Sequence, residues 1–152
     1  MSSITVYYHS PVGDMEITTN NDKIISVSFV DVIPPLSGRT SPVLEEVIVQ
    51  LDEYFAGKRK GFDLPLEIKG TEFQRFVWCE LMKITYDTTI SYSQLAEKAG
   101  DIKAVRAVAN AVAANKLAVI IPCHRVIGKD GSLTGYRWGI GRKKWLLEHE
   151  RR

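Results

Sequence analysis

The sequence predicts an α/β chain in two parts. A small antiparallel sheet with one helix fills residues 1–69, and a mainly helical part with a helix-turn-helix fills 70–152. Three observations carry this. Short β-branched and aromatic runs separated by turn residues occupy the start of the chain. Two capping-box signatures, Thr71-Glu72-Phe73-Gln74 and Ser91-Tyr92-Ser93-Gln94, open helices further on. Charge divides the same way: residues 1–70 carry six Lys/Arg against ten Asp/Glu, and residues 71–152 carry fourteen against eight. A basic second part suits a polyanionic partner.

Ile4 to Tyr8, Met15 to Thr19 and Ile24 to Val30 read as strands, joined through Ser10-Pro11-Val12-Gly13-Asp14 and Asn20-Asn21-Asp22. Ser41 is an N-cap, with Pro42 in the first helical position and Glu45-Glu46 in the first turn. Val43, Leu44, Val47, Ile48, Leu51 and Phe55 follow at helical spacing, up to Gly57. Phe62 to Ile68 reads as a last strand, kept at an edge by Pro65. After Thr71, residues Phe73, Phe76, Val77, Leu81 and Ile84 fall on one helical face, with Cys79 off that stripe. The helix from Ser91 runs through Lys98. Gly100 suits a left-handed turn, and Asp101 caps a helix from Lys103 to Ala114. That helix has no bulky residue on any face. Such a helix either packs close to a neighbour or enters a nucleic-acid groove with Arg106 as its one long cation. A final helix starts near Arg142, with Trp145, Leu146 and His149 on its apolar face.

Apolar content of 45% and charged content of 25% argue against disorder. No apolar run approaches the roughly 18 residues of a membrane helix. Met1-Ser2-Ser3-Ile4-Thr5 lacks the basic flank and apolar core of a leader. A cytoplasmic monomer is expected, nuclear if the source is eukaryotic. Cys79 and Cys123 are too few for a disulfide framework, and His9, His124 and His149 are scattered, so neither metal nor cofactor is expected.

The segment Ile120-Ile121-Pro122-Cys123-His124-Arg125-Val126-Ile127-Gly128 places a thiol, an imidazole and a guanidinium inside an apolar run that reads as a buried strand. Thiolate is the nucleophile, and burial disfavours it. Such a cysteine is therefore either an inert small hydrophobe or one supplied with a base, which His124 can provide directly or through a water, with a carboxylate orienting the ring.

Pro122-Cys123-His124-Arg125-Val126 resembles the active-site motif of the O6-alkylguanine-DNA alkyltransferases. Gly70 to Arg75, Ile90 to Ala96, Arg106-Ala107-Val108, Asn115, Gly135-Tyr136 and Trp145 to Glu150 resemble further family blocks in order and spacing. The likeness is dense over residues 70–150 and weaker at Ser10 to Gly13. It implies a ribonuclease H-like first domain and a winged helix-turn-helix in the second. The implied activity is DNA repair by irreversible, single-turnover transfer of an alkyl group, methyl preferred, from O6-alkylguanine and also O4-alkylthymine to Cys123. The implied partner is double-stranded DNA, bound through the minor groove.

By the same resemblance His124 acts through a water as the base, Glu150 orients it, and Asn115 holds the turn before the cysteine. Tyr136, Arg137, Trp138 and groups near Val126 meet the base. Tyr92 and Ser93 meet the target strand. Arg106 fills the space of the extruded nucleotide, with Ala104 and Ala107 in the groove. Arg125 is assigned a structural role. The sequence departs from the family pattern in three places. Arg137-Trp138-Gly139 replaces small residues and is similar to a bacterial branch joined to a transcription regulator, and Trp138 is expected to narrow the pocket mouth. Lys116 stands where a proline is common, and Ala109-Asn110 where glycines are. Zinc ligands of some first domains have no match. Two other readings stay open: a lesion-binding module without transfer, and a cysteine hydrolase or redox thiol.

Overall fold

The computed structural model describes residues 3–152; Met1 and Ser2, where the reading of the chain start begins, lie outside them. The chain divides into two compact units, one running to Ile68 and including Lys116–Ile120, the other comprising Lys69–Asn115 and Ile121–Arg152.

The first unit is an antiparallel sheet in the order β1-β2-β3, with β1 at Ser3–Ser10, β2 at Gly13–Asn20 and β3 at Lys23–Phe29. β1 and β2 pair without interruption from Ser3 opposite Asn20 to Ser10 opposite Gly13. The β2–β3 turn uses Asn21 and Asp22 at φ 52° and 63°, a left-handed pair that Asn and Asp tolerate best after glycine. Met15, Ile17, Ile24 and Val27 are fully buried from the sheet. Helix α1, Pro42–Phe55, buries Leu44, Val47, Leu51 and Tyr54, and Ser41 Oγ accepts from the Leu44 amide as its cap.

The expected strand over Phe62 to Ile68 does not form. The chain meets β3 at one bridge, where the Ile24 amide donates to Pro65 O at 2.8 Å and Glu67 N to Ile24 O at 3.0 Å. Pro65 has no N–H, so the ladder cannot extend through it. Lys116–Ile120 makes a similar single bridge, with Val27 N donating to Lys116 O and Ala118 N to Val27 O. Val119 within it holds φ 69°, a strained conformation for a buried β-branched residue.

In the second unit α2 spans Glu72–Met82 and begins with the predicted reciprocal box: Thr71 N donates to Gln74 Oε1 and Gln74 N to Thr71 Oγ1. Its buried face differs from the predicted stripe. Val77, Trp78 and Leu81 are inside, while Phe73 and Phe76 are 37% and 39% exposed. Trp78 anchors this rotation, because its indole N–H donates to Ala111 O at 2.8 Å and so becomes a satisfied core group.

β4, Ile90–Ser91, leads into α3, Tyr92–Lys98, through the second capping box. Gly100 turns the chain at φ 89°. Asp101 caps a single 3-10 turn, Ile102–Ala104, which feeds α4, Val105–Ala113. Helix, turn and helix are therefore as expected, with an extra tight turn at the start of the second helix. The α4 core face is Val108, Ala111 and Val112, leaving Arg106, Ala107, Asn110 and Ala113 outside. A two-residue strand β5, Val126–Ile127, pairs in parallel with β4. Helix α5, Ile140–Glu150, closes the unit and buries Lys143, Leu146, Leu147, His149 and Glu150. No helix among the described residues is long and apolar enough to cross a membrane.

Candidate active site

Cys123, His124 and Arg125 form one 3-10 turn, not the buried strand expected; only Val126 and Ile127 after them are extended. Pro122 precedes the turn at ψ 62°, and the Cys123 amide closes back on Ile121 O at 2.7 Å. Three consecutive side chains on a tight turn point in different directions, whereas a strand would send the first and third to the same face. All three are buried, His124 completely.

Glu150 holds two of them. His124 Nε2 lies 2.7 Å from Glu150 Oε2. Arg125 donates from Nε to Oε1 at 2.8 Å and from Nη2 to Oε2 at 3.0 Å, and its Nη1 reaches Ile84 O at 2.7 Å. Burial raises the carboxyl of Glu150, but the hydrogen bonds from His124 and Arg125 outweigh it and hold the group well below the usual carboxylate range. For His124, burial lowers the imidazole below its ordinary value despite Glu150. A carboxylate on Nε2 assigns the ring proton to that nitrogen. Nδ1 is then an acceptor, and it is buried with no hydrogen-bond partner.

Cys123 Sγ accepts from Asn115 Nδ2 at 3.2 Å, and the same amide donates to Ile121 O at 3.1 Å. Asn115 is 1% exposed. Burial pushes the thiol up to about 11; Asn115, Lys143 and Arg137 all pull toward ionisation. A thiol held protonated in this way is a nucleophile only when a base takes its proton.

A cavity of about 600 Å³ opens beside the thiol. Tyr92, Ser93, Cys123, Tyr136 and Arg137 line it, with Val105, Ala109, Val112 and Ala113 of α4 on one side and Thr134 and Gly135 on another. Tyr136 places its hydroxyl in buried space with no hydrogen-bond partner. Such a group costs free energy until something bonds it. Trp138 is not part of the cavity lining. It packs edge-on to the Tyr136 ring at 5.4 Å and under the Arg137 guanidinium, while Arg137 Nη1 donates to Asn115 O at 3.0 Å. Trp138 was expected at the pocket mouth but does not line the cavity; it contacts Tyr136 and Arg137, which do. Val126 is fully buried and also stands outside the lining.

Arg106 is exposed on α4, and its side chain meets no described residue by hydrogen bond or ion pair. Ala104 ends the 3-10 turn before α4 and Ala107 is exposed on α4; neither lines the thiol cavity. Among the described residues no cluster of three or more His, Cys, Asp or Glu could hold a metal, and Cys79 is exposed.

Lys143 was not singled out from the sequence. It is fully buried, and its ammonium donates to Gly135 O at 3.0 Å and Thr134 O at 3.3 Å. The spacing Lys143, Leu146, Leu147, Glu150 puts it on the buried face of α5, a signal hidden by the reading of lysines as surface residues.

These features define a helix-turn-helix protein in which a buried cysteine lines a cavity and the histidine after it is bonded to a buried carboxylate. Residues 72–152 match the DNA binding domain of 6-O-methylguanine DNA methyltransferase, and residues 4–68 match its ribonuclease-like domain. The chain belongs to the 6-O-methylguanine DNA methyltransferase family. It is 46% identical to a probable methylated-DNA--protein-cysteine methyltransferase of Acanthamoeba polyphaga mimivirus, over 86% of this chain and 83% of the relative. It is 53% identical to the bifunctional transcriptional activator/DNA repair enzyme Ada of Escherichia coli, over 70% of this chain but only 29% of that longer protein. A crystal structure of Mycobacterium tuberculosis OGT in complex with DNA superposes with a TM-score of 0.85 at 38% identity, covering 98% of this chain and 92% of that one.

Proposed function

We propose that this protein repairs DNA by transferring the alkyl group of O6-alkylguanine to its own Cys123. The observation that carries this is Cys123 at the wall of a cavity of about 600 Å³, followed in the chain by His124, which Glu150 holds at Nε2 and whose buried Nδ1 has no hydrogen-bond partner. His124 Nδ1 takes the thiol proton through one water as the sulfur attacks the alkyl carbon. The S–C bond forms, the C–O6 bond breaks, and its electron pair leaves on the guanine. Protonation of that guanine, with Tyr136 donating from the cavity, completes the product. No group in the site can reverse a thioether, so each molecule acts once.

A lesion in a duplex must first leave the stack, at a cost of a few kcal/mol. Tyr92 and Ser93 border the cavity that receives it, and the unpaired Arg106 on the small-sided α4 takes its place in the minor groove, flanked by Ala104 and Ala107. Asn115 fixes the cysteine turn. Arg137 forms part of the wall, while Trp138 and Val126 act from behind it. Methyl is the preferred group, O4-alkylthymine is a second substrate, and the protein works as a monomer where DNA is kept, in the cytoplasm or, in a eukaryote, the nucleus.

The test is intact and peptide mass after mixing the protein with a duplex carrying O6-methylguanine. One added methyl, mapped to Cys123 and never exceeding one per molecule, is the expected result. Tight lesion binding by unmodified protein would replace this reading with a pure recognition module.

A further inference from the structure

We propose that Asn110 reads the minor-groove edge of a guanine in a base pair close to the lesion, so that repair by this protein depends on the neighbouring sequence. This rests on α4 entering the minor groove of damaged DNA, as proposed above.

The placement comes from α4 itself. Of its nine residues, Val105–Ala113, only Arg106 and Asn110 are polar. They stand four positions apart, which puts them on one face, about 6 Å from each other along the helix axis. That face is exposed, and its other members Ala107 and Ala113 are small, while Val108, Ala111 and Val112 form the buried side. Val105, Ala109 and Ala113 line the thiol cavity at the same spacing of four. The row of Arg106 and Asn110 lies one residue further round the helix, so it runs along the border of the space that receives the extruded base.

The fold gives the Asn110 side chain no task of its own. Its backbone carbonyl accepts from Ala114 N at 3.0 Å, as a helical carbonyl does. Its carboxamide meets no described residue by hydrogen bond. Asparagine is a poorer helix former than alanine, so helix stability does not ask for it among these alanines. The side chain is short and reaches a groove floor only when the helix backbone comes close. The alanines around it permit that approach.

The chemistry of the groove sets what it can read. There A·T and T·A present only the acceptors A N3 and T O2, whereas G·C adds the N2 amino donor of guanine. A carboxamide carries an acceptor, Oδ1, beside a donor, Nδ2. Guanine satisfies both: its N2–H donates to Oδ1, and Nδ2–H donates to its N3. An A·T pair can take only the second bond and leaves Oδ1 without a partner. With base pairs about 3.4 Å apart, the spacing on α4 puts this contact about two pairs from the position that Arg106 fills.

The test compares the wild type with Asn110→Ala on a set of duplexes at one salt concentration. Each carries a single O6-methylguanine and, one or two pairs to either side of it, G·C, A·T or inosine·C. Inosine keeps the major-groove edge of guanine and lacks only the N2 amino group. Two quantities are read: the rate of methyl transfer to Cys123, and Kd by fluorescence anisotropy. The wild type is expected to lose about tenfold when guanine at the contacted position becomes inosine or adenine. Asn110→Ala, which reports the effect of weaker pairing alone, is expected to lose this preference. Equal wild-type values across the set, or the wild-type preference kept by Asn110→Ala, would overturn the proposal. Kd requires no chemistry, so the preference is decided even if Cys123 is never methylated. A failure of methylation on every duplex would instead remove the alkyl-transfer reading.

Discussion

Arg125 and Glu150 form a bidentate ion pair, with Nε 2.8 Å from Oε1 and Nη2 3.0 Å from Oε2, and both groups are buried. The carboxylate that orients His124 is thus itself oriented. An arginine fork fits a carboxylate in one plane, so Glu150 cannot swing away when the imidazole changes charge. Removing the arginine leaves a buried, uncompensated carboxylate. Arg125→Ala should lower stability by about 3–5 kcal/mol in urea unfolding. A loss under about 1 kcal/mol would mean that water replaces the guanidinium and that Glu150 is not held by it.

The pH response of stability follows from the same cluster. Folded His124 titrates below its ordinary value, because burial outweighs its contacts with Glu150. As pH falls through about 6.5 the unfolded chain takes a proton that the native site refuses, so native stability declines. Glu150 acts in the same sense lower down. It stays ionised in the native protein while its unfolded counterpart protonates near pH 4.3, so its contribution is present above that pH and is lost as pH falls toward the native value. Urea midpoints measured from pH 8 to pH 4 should slope downward toward acid. His124→Gln should flatten the part that begins as pH falls below about 6.5. Parallel curves for variant and wild type would remove His124 from the account.

Tyr136 separates stability from activity. Its hydroxyl is buried and unpartnered, so Tyr136→Phe should leave stability unchanged or raise it by up to about 1 kcal/mol. If the hydroxyl bonds the departing guanine, the same change should slow transfer about tenfold, the equivalent of one hydrogen bond. A variant that is both less stable and fully active would assign Tyr136 to packing alone.

Arg106 offers the opposite test. It is exposed and its side chain makes no bond to any described residue, so Arg106→Ala should change stability by less than about 0.5 kcal/mol. Transfer from a duplex should fall at least about tenfold, because the extruded base loses its replacement, while transfer from free O6-methylguanine should not change. Equal losses on the two substrates would rule out the role in extrusion.

Gly70 precedes the α2 cap, and a Cβ there would lie 2.7 Å from the Trp78 ring and 2.8 Å from Gln74 Oε1. The ring is fixed by its bond to Ala111 O, so it cannot easily withdraw. Gly70→Ala should therefore cost about 1–3 kcal/mol. A thermal melt matching the wild type would show that the α2 start is looser than its capping box suggests.

Much of this protein is local chemistry, and that part is written in the sequence. Thr71 and Gln74, Ser91 and Gln94, Ser41 and Pro42, and the Asn21-Asp22 turn act over four residues or fewer, so residue type and spacing suffice to place them. The Cys-His-Arg run marks where chemistry is expected for the same reason. The tertiary structure decided what depends on distant partners. Phe73 and Phe76 turned outward because Trp78 found an acceptor at Ala111, far along the chain. The active-site segment became a turn, and Phe62 to Ile68 met β3 at a single bridge, because pairing depends on what lies alongside and on the N–H that Pro65 lacks. Glu150 gained its two partners, and Lys143 its burial, only when α5 brought them to residues from elsewhere in the second unit. Periodicity tells which face of a helix is inward, but the free energy of a buried charge is set by the groups that surround it, and those are assembled only by folding.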